Sequence, residues 1–308
     1  MTNATAKQIE NMKAQTFGVE VEMNSITREK AAQTAASFFG TETVRYKGGS
    51  YCAWEATDRK GRTWSFQRDS SIQAPDNEKC EMVTPVLRYD DLEDLQELIR
   101  QLRHAGAKSC PSRGCGVHIH IGGDGHTPQT IRNLVNLMAS HEDELTKAIE
   151  IGSWRQERYC QTVDPDFLKR INSRRPKTMD SLARCWYDGP TETSHYSSTR
   201  YRMLNLHSFF NRYHTIEFRC YNFDEETAER RGGLHAGQLK SMIQLSLALS
   251  QMAKQLRTAS PKKGQRDNEA YHFRCWMLRL GFIGDEFKTA REYFMRNFTG
   301  NCAWRNAA

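Results

Sequence analysis

The stretches TFGVEVEM (residues 16–23) and GVHIHIG (116–122) decide the reading of this chain. In the first, Phe17, Val19, Val21 and Met23 fall on one parity and Gly18, Glu20 and Glu22 on the other. In the second, Val117, Ile119 and Ile121 alternate with His118 and His120. A period of two is strand periodicity, because successive side chains of a pleated backbone point to opposite faces. In TIEFRCYN (215–222) the same pattern sets Glu217 and Arg219 opposite Ile216, Phe218 and Cys220. EMVTPVL (81–87) opens on a further carboxylate, Glu81, and Asp69 directly follows a strand-like run.

A sheet with one solvated face alternates in this way, so any single strand would pass as ordinary. Carboxylates and imidazoles with glycines beside them are an unusual filling for such a face. Like charges crowded on one surface repel, and a bound divalent cation is the simplest way to keep them ionised. Oxygen-rich ligands with one or two imidazoles suit Mg2+ or Mn2+ better than a structural zinc. An arginine two residues from a ligand carboxylate is well placed to stabilise charge on a phosphoryl group in transfer.

Working outward, Arg28–Phe39 reads as a helix ended at Gly40, and 43–56 with 62–67 as a hairpin about the turn Asp58-Arg59-Lys60-Gly61. Apolar residues at 92, 95, 98, 99 and 102 predict a helix over 90–105, and Thr127-Pro128 opens another that runs to about Ile151. The stretch 152–199 is basic and aromatic, is punctuated by Pro165, Pro176 and Pro190, and is expected to be an irregular covering segment or lid. Strands are expected over 201–207 and 215–222, a helix over 234–256, a linker over 260–268, and two C-terminal helices broken at Gly281 and Gly284. Without βαβ regularity, the class is α+β with a largely antiparallel sheet, a main domain over 1–258 and a helical extension over 259–308.

The chain has 308 residues, 38% of them hydrophobic and 26% charged, and its six Trp, eleven Tyr and fourteen Phe are ample core material. The net charge of +7 is densest from Arg155 to Lys177, a face for solvent, phosphates or a polyanion. No apolar run approaches the roughly 18 residues that cross a bilayer, and residues 1–15 are polar throughout. Nine cysteines, an odd number with no CxxC pair, point to free thiols in a reducing cytoplasm and away from a cysteine-built zinc site.

The four strand motifs, GVEVE (18–22), EMVTPVL (81–87), GVHIHIG (116–122) and TIEFR (215–219), resemble in order and interval the carboxylate-amine ligases of the glutamine synthetase and glutamate–cysteine ligase superfamily, most closely its amidoligase branch. The resemblance implies a curved antiparallel sheet forming half of a funnel and backed by helices. It implies metal ligation by Glu20, Glu22, Asp69, Glu81, His118 and Glu217, and contacts to ATP by Arg219, Arg202 and His120, with Arg219, Glu81 and Glu217 in catalysis. ATP and two or three Mg2+ or Mn2+ ions are the implied cofactors. A carboxylate-bearing amino acid or peptide and an amine are the implied substrates, to be joined through an acyl phosphate into an amide or isopeptide bond. His120 departs from the glutamate–cysteine ligase pattern, and CYNFDEET after TIEFR lacks the Asn-Pro of those enzymes. Two other classes fit some of the residues. A metal-dependent hydrolase could use the same acidic and imidazole cluster, although no HExxH is present and Arg219 favours phosphoryl chemistry. A nucleic-acid-binding module could use the basic stretch but would leave the acidic strands unexplained, so neither nucleic acid nor a membrane is an expected partner; an oligomer is compatible with the sequence.

Overall fold

The computed structural model describes residues 2–194, 196–211, 213–230, 232–264 and 267–305. In chain order its elements are α1 (Asn3–Lys13), β1 (Phe17–Met23), α2 (Arg28–Phe39), β2 (Val44–Gly48), β3 (Ala53–Thr57), β4 (Thr63–Gln67), β5 (Cys80–Val83), α3 (Leu92–His104), β6 (Val117–Gly122), α4 (Pro128–Ile149), α5 (Ser153–Tyr159), α6 (Pro165–Arg174), α7 (Met179–Tyr187), β7 (Leu204–Asn205), α8 (His207–Phe210), β8 (Thr215–Tyr221), α9 (Ala236–Gln255), α10 (Glu269–Arg279) and α11 (Lys288–Met295). The strands follow the order β2-β3-β4-β5-β1-β6-β8-β7 in one open sheet, and every pair whose register is described is antiparallel. The mixed architecture agrees with the α+β expectation.

Two compact units divide the chain. One comprises Thr16–Ile119 and Tyr221–Lys240. In it Phe17, Val19, Val21 and Met23 are buried as the alternation of β1 requires, and Leu92, Leu95, Leu98, Ile99 and Leu102 form the buried stripe of α3. Thr27 caps α2 by accepting from Lys30 N, and Gly40 ends it in the left-handed region at φ 65°. The alanines of α2 let it lie close on β3 and β4, where the Phe39 and Trp64 rings sit 5.2 Å apart. Asp58 closes the β3–β4 turn by accepting from Lys60 N and Arg62 N, each at 2.9 Å, and from Trp64 Nε1 at 3.1 Å.

The other unit comprises Met1–Gln15, His120–Cys220 and Ser241–Ala308. Thr127 caps α4 with Pro128 at its first position, as expected. α4 and α9 are tied together by polar bonds: Asn133 Nδ2 donates to the carbonyls of Ala253 and Leu256, and the His126 ring bonds Thr130 Oγ1 through Nδ1 and Ser250 Oγ through Nε2. α10 and α11 flank Gly281 and Gly284, both at positive φ, where the sequence places a break.

Three expectations are corrected, and one element, α1, is new. Residues 152–199, expected to be irregular, contain α5, α6 and α7. Pro165 occupies the first position of α6, where its missing N–H costs nothing, while Asp164 caps the helix by accepting from Phe167 N at 2.7 Å; Thr178 caps α7 in the same manner. The polar N-terminal stretch forms α1, anchored by buried Met12 and by Gln15 Nε2 donating to Leu247 O. The run 43–56 is two strands, β2 and β3, because Gly48 and Gly49 turn the chain at φ 72°. The strand expected over 201–207 shortens to Leu204–Asn205 before a helical turn at His207. In the expected linker, Gln265 and Arg266 lie outside the described residues. Among the described residues no helix is long and apolar enough to cross a membrane, and all nine cysteines are free thiols.

Burial pushes the His126 imidazole down to about 3, with the nearby charge of Lys254 adding to the effect. The unfolded chain therefore takes up a proton near pH 6.5 that the folded chain refuses, and stability is lost as pH falls below about 6.5. Thermal unfolding between pH 7 and pH 5 should show a shallower loss of midpoint in His126→Asn than in the unsubstituted protein. Equal slopes would remove His126 as the sensor.

Candidate active site and metal-binding cluster

The decisive register is that of β1 on β5. Glu22 lies directly opposite Glu81, and on the other side of β5 Gln67 of β4 lies opposite Glu81 as well. Side chains opposite one another in antiparallel strands share a face at close range, and like charges so placed are destabilising. Both carboxylates are nonetheless buried. Gln67 Nε2 donates to Glu81 Oε2 at 2.7 Å, and the backbone N of Gly116 donates to Glu22 Oε2 at 2.6 Å. The glycine beside the histidine strand thus orients one of the two carboxylates directly.

His118 completes the row. Its Nδ1 donates to Glu20 Oε2 at 2.9 Å, and its Nε2 lies 3.7 Å from Glu22 Oε1. Asp69, in the loop after β4, accepts from both the N and the Oγ of Ser71, which fixes that carboxylate in place. Ligand atoms of Glu20, Glu81 and His118 lie within 4.8 Å of one another, and so do those of Glu22, Asp69 and Glu81. Five of the residues singled out from the sequence therefore come together in one unit, with Glu81 common to both groups.

Electrostatics mark Glu81 as the centre. Burial pushes its carboxyl well above the usual carboxylate range, and the charges of Glu20, Asp69 and Glu22 push it in the same direction; the Gln67 amide only partly opposes them. Among the described residues no lysine or arginine forms an ion pair with Glu22, Asp69 or Glu81. An oxygen-rich set with one imidazole, strained by its own negative charge, is a donor set that fits a hard divalent cation.

The remaining predicted residues belong to the other unit. On β8, Glu217 is paired through Oε1 with Arg219 Nη1, and its Oε2 accepts from Asn205 Nδ2 at 2.6 Å, in keeping with the Asn205↔Glu217 register. Arg219 is buried, its guanidinium carbon 5.9 Å from the centre of the Tyr201 ring. His120 Nδ1 shares a 2.9 Å hydrogen bond with Thr215 Oγ1. Arg202 is held elsewhere: Nη1 donates to Thr162 O at 3.1 Å and Nη2 to Asp164 Oδ2 at 3.0 Å.

Three supporting residues escaped the sequence. Gln67 and Asn205 matter through registers that no local pattern reports. Arg155 belongs to the basic stretch expected to be solvated, yet it is 3% exposed and donates through Nη2 to the carbonyl of Arg219 at 3.1 Å. Its helical spacing with Ile151 and Tyr159 was the signal that it faces inward.

Sheet and cluster together define a mixed α/β protein with acidic and imidazole groups that could hold a metal ion. The chain belongs to the amidoligase family: the family profile described as "Putative amidoligase enzyme" matches residues 13–250. Among solved structures it is similar to a bifunctional glutathione synthetase from Pasteurella multocida, at 13% identity and a TM-score of 0.46, over 96% of this chain and 49% of that one. The chain thus spans about half the length of that protein. No curated protein matches it.

A ligand that binds only the folded state raises the unfolding midpoint. Millimolar Mg2+ or Mn2+ should therefore raise the midpoint of the unsubstituted protein above its value in chelator. Glu81→Gln should start from a higher midpoint in chelator, since it removes a buried like charge, and should gain much less from the metal. A metal response undiminished in Glu81→Gln would remove this cluster as the binding site.

Proposed function

We propose that the chain is an ATP-dependent carboxylate-amine ligase that activates a carboxylate as an acyl phosphate and joins it to an amine in an amide or isopeptide bond. The observation that carries this reading is the convergence of Glu20, Glu22, Asp69, Glu81 and His118 in a member of the amidoligase family. These residues would hold two or three Mg2+ or Mn2+ ions, with Glu217 as a further ligand. Bound there, the ions would offset the charge of the ATP phosphates and polarise the γ-phosphoryl group.

Arg219 stabilises negative charge on the phosphoryl group in transfer. Glu217 and Asn205 hold that guanidinium in one orientation, so little reorganisation is left for the reaction itself. A substrate carboxylate oxygen bonds to the γ-phosphorus as the bond to ADP breaks. The amine nitrogen then bonds to the acyl carbon, phosphate leaves, and the nitrogen gives up a proton. His120 is assigned to the nucleotide; Arg202, expected at the ATP phosphates, is here assigned instead to a substrate carboxylate, because Asp164 already offsets part of its charge. An acyl phosphate hydrolyses readily, so water must be kept out, and the segment 152–199 is the proposed cover. The two substrates are of amino-acid or peptide class, and nine free thiols suit a reducing cytoplasm.

Incubation with Mg-ATP and mixed amino acids and short peptides should yield ADP, phosphate and a condensed product one water lighter than its parts, detected by mass spectrometry. Arg219→Met and Glu81→Gln should each lower the rate by about a hundredfold or more. ADP formation that ignores both carboxylate and amine would contradict the proposal. Protection of 152–199 from limited proteolysis by Mg-ATP is expected if that segment covers the site, and identical cleavage with and without the nucleotide would remove it from that role.

A further inference from the structure

The unit that carries Arg219 also holds an open groove of about 440 Å3, lined by Ser153, Gln156, Glu157, Gln161, Thr162 and Arg202. Its volume is within the range usual for small-ligand sites, of order 300–1,000 Å3. One wall is α5. The other is the segment after it, which runs beside the approach to β7: Gln161 N donates to Tyr201 O at 3.0 Å, and Met203 N to Gln161 O at 2.7 Å. The next strand across is β8, where Arg219 N donates to Met203 O at 2.9 Å. The groove wall and Arg219 therefore belong to one hydrogen-bonded ladder. The Tyr201 ring links them further, with Arg219 over it and Tyr159 of α5 packed edge-on at 6.3 Å.

The charges of the groove select its ligand. Arg202 is aimed by Thr162 O and Asp164, and Asp164 offsets its charge. Glu157 is exposed and forms no ion pair among the described residues. One guanidinium beside two carboxylates repels a triphosphate but suits a molecule that carries both signs. The amides of Gln156 and Gln161 and the hydroxyls of Ser153 and Thr162 complement the N–H and C=O of a peptide bond.

We propose that this groove seats the non-reacting end of a short peptide substrate, with Arg202 on its carboxylate and Glu157 on its ammonium or amide N–H. The role as a substrate subsite rests on the ligase reading; the binding itself does not. An open, one-sided groove holds the far end of a substrate while leaving the end that reacts outside it, so specificity for peptide length and terminus resides there.

Saturation-transfer NMR on the full chain without nucleotide tests the binding, with L-alanyl-L-alanine and its C-terminal amide as probes. Transfer to the free acid is expected, with affinity weakened by about tenfold in the amide and in Glu157→Gln, as for loss of one charged contact. Ser153→Trp should block it. Ser153 and Glu157 are exposed, so neither substitution disturbs folding. Absence of transfer to the free acid, or equal transfer in all three proteins, overturns the proposal. ADP formation, assayed separately, decides the ligase reading: peptide binding without ADP release keeps the groove and removes the ligase, and ADP release without peptide binding does the reverse.

Discussion

The structure depends on one electrostatic conflict, the placement of Glu22 directly opposite Glu81 across the β1–β5 ladder with both side chains buried. Two carboxylates so placed cannot both stay ionised cheaply in a medium that screens poorly. Among the described residues no lysine or arginine relieves the conflict. The chain supplies neutral donors instead, the Gln67 amide and the Gly116 N–H, together with an imidazole whose two nitrogens face Glu20 and Glu22. Donors of this kind orient carboxylates without neutralising them, which is what a cation site needs from its surroundings.

The same unit handles another buried acidic pair in the opposite way. Asp58 and Asp91 share Arg62, and Asp91 also takes Lys60 Nζ at 2.6 Å. Burial works against both charges, but the hydrogen bonds and charges of Arg62 and Lys60 win for Asp91 and hold its carboxyl far below the usual range; Asp58, bonded by Trp64 and Arg62, is lowered too. That network fastens the β3–β4 turn to the start of α3. A fold that can satisfy buried acids with arginine, and does so at Asp58 and Asp91, leaves Glu81 unsatisfied for a reason other than lack of means. Stored strain of this type marks functional positions.

The acidic strand faces were legible in the sequence because parity is a local property: Glu20 with Glu22, His118 with His120, and Glu217 with Arg219 each share a face whatever strand lies alongside. The amphipathic helices α3 and α4 were legible for the same reason, since Leu92 to Leu102 and the Thr127-Pro128 start are also local. The pairing of Glu22 with Glu81, and of Asn205 with Glu217, is a matter of register between distant segments, and register leaves no local trace. Proline misled in the opposite direction. Pro165 reads in the sequence as punctuation, whereas after Asp164 it is a helix start, and the segment around it is ordered into α5, α6 and α7. Arg155 shows a third limit: charge predicts exposure on average, but an arginine in phase with apolar neighbours can be buried along its stem with its head on a carbonyl.

Glu217 shows why two acids of like appearance in the sequence differ in kind. It sits on a strand with the same alternation as Glu22, yet the arginine two residues along the same face pairs with it. Neutralising Glu217 would remove a carboxylate that pairs with the buried Arg219 guanidinium, which is costly. Neutralising Glu81 would relieve repulsion instead. Identical Glu→Gln changes on β8 and β5 therefore have opposite consequences for stability, and the difference follows from whether the side chain beside the glutamate is an arginine or another carboxylate.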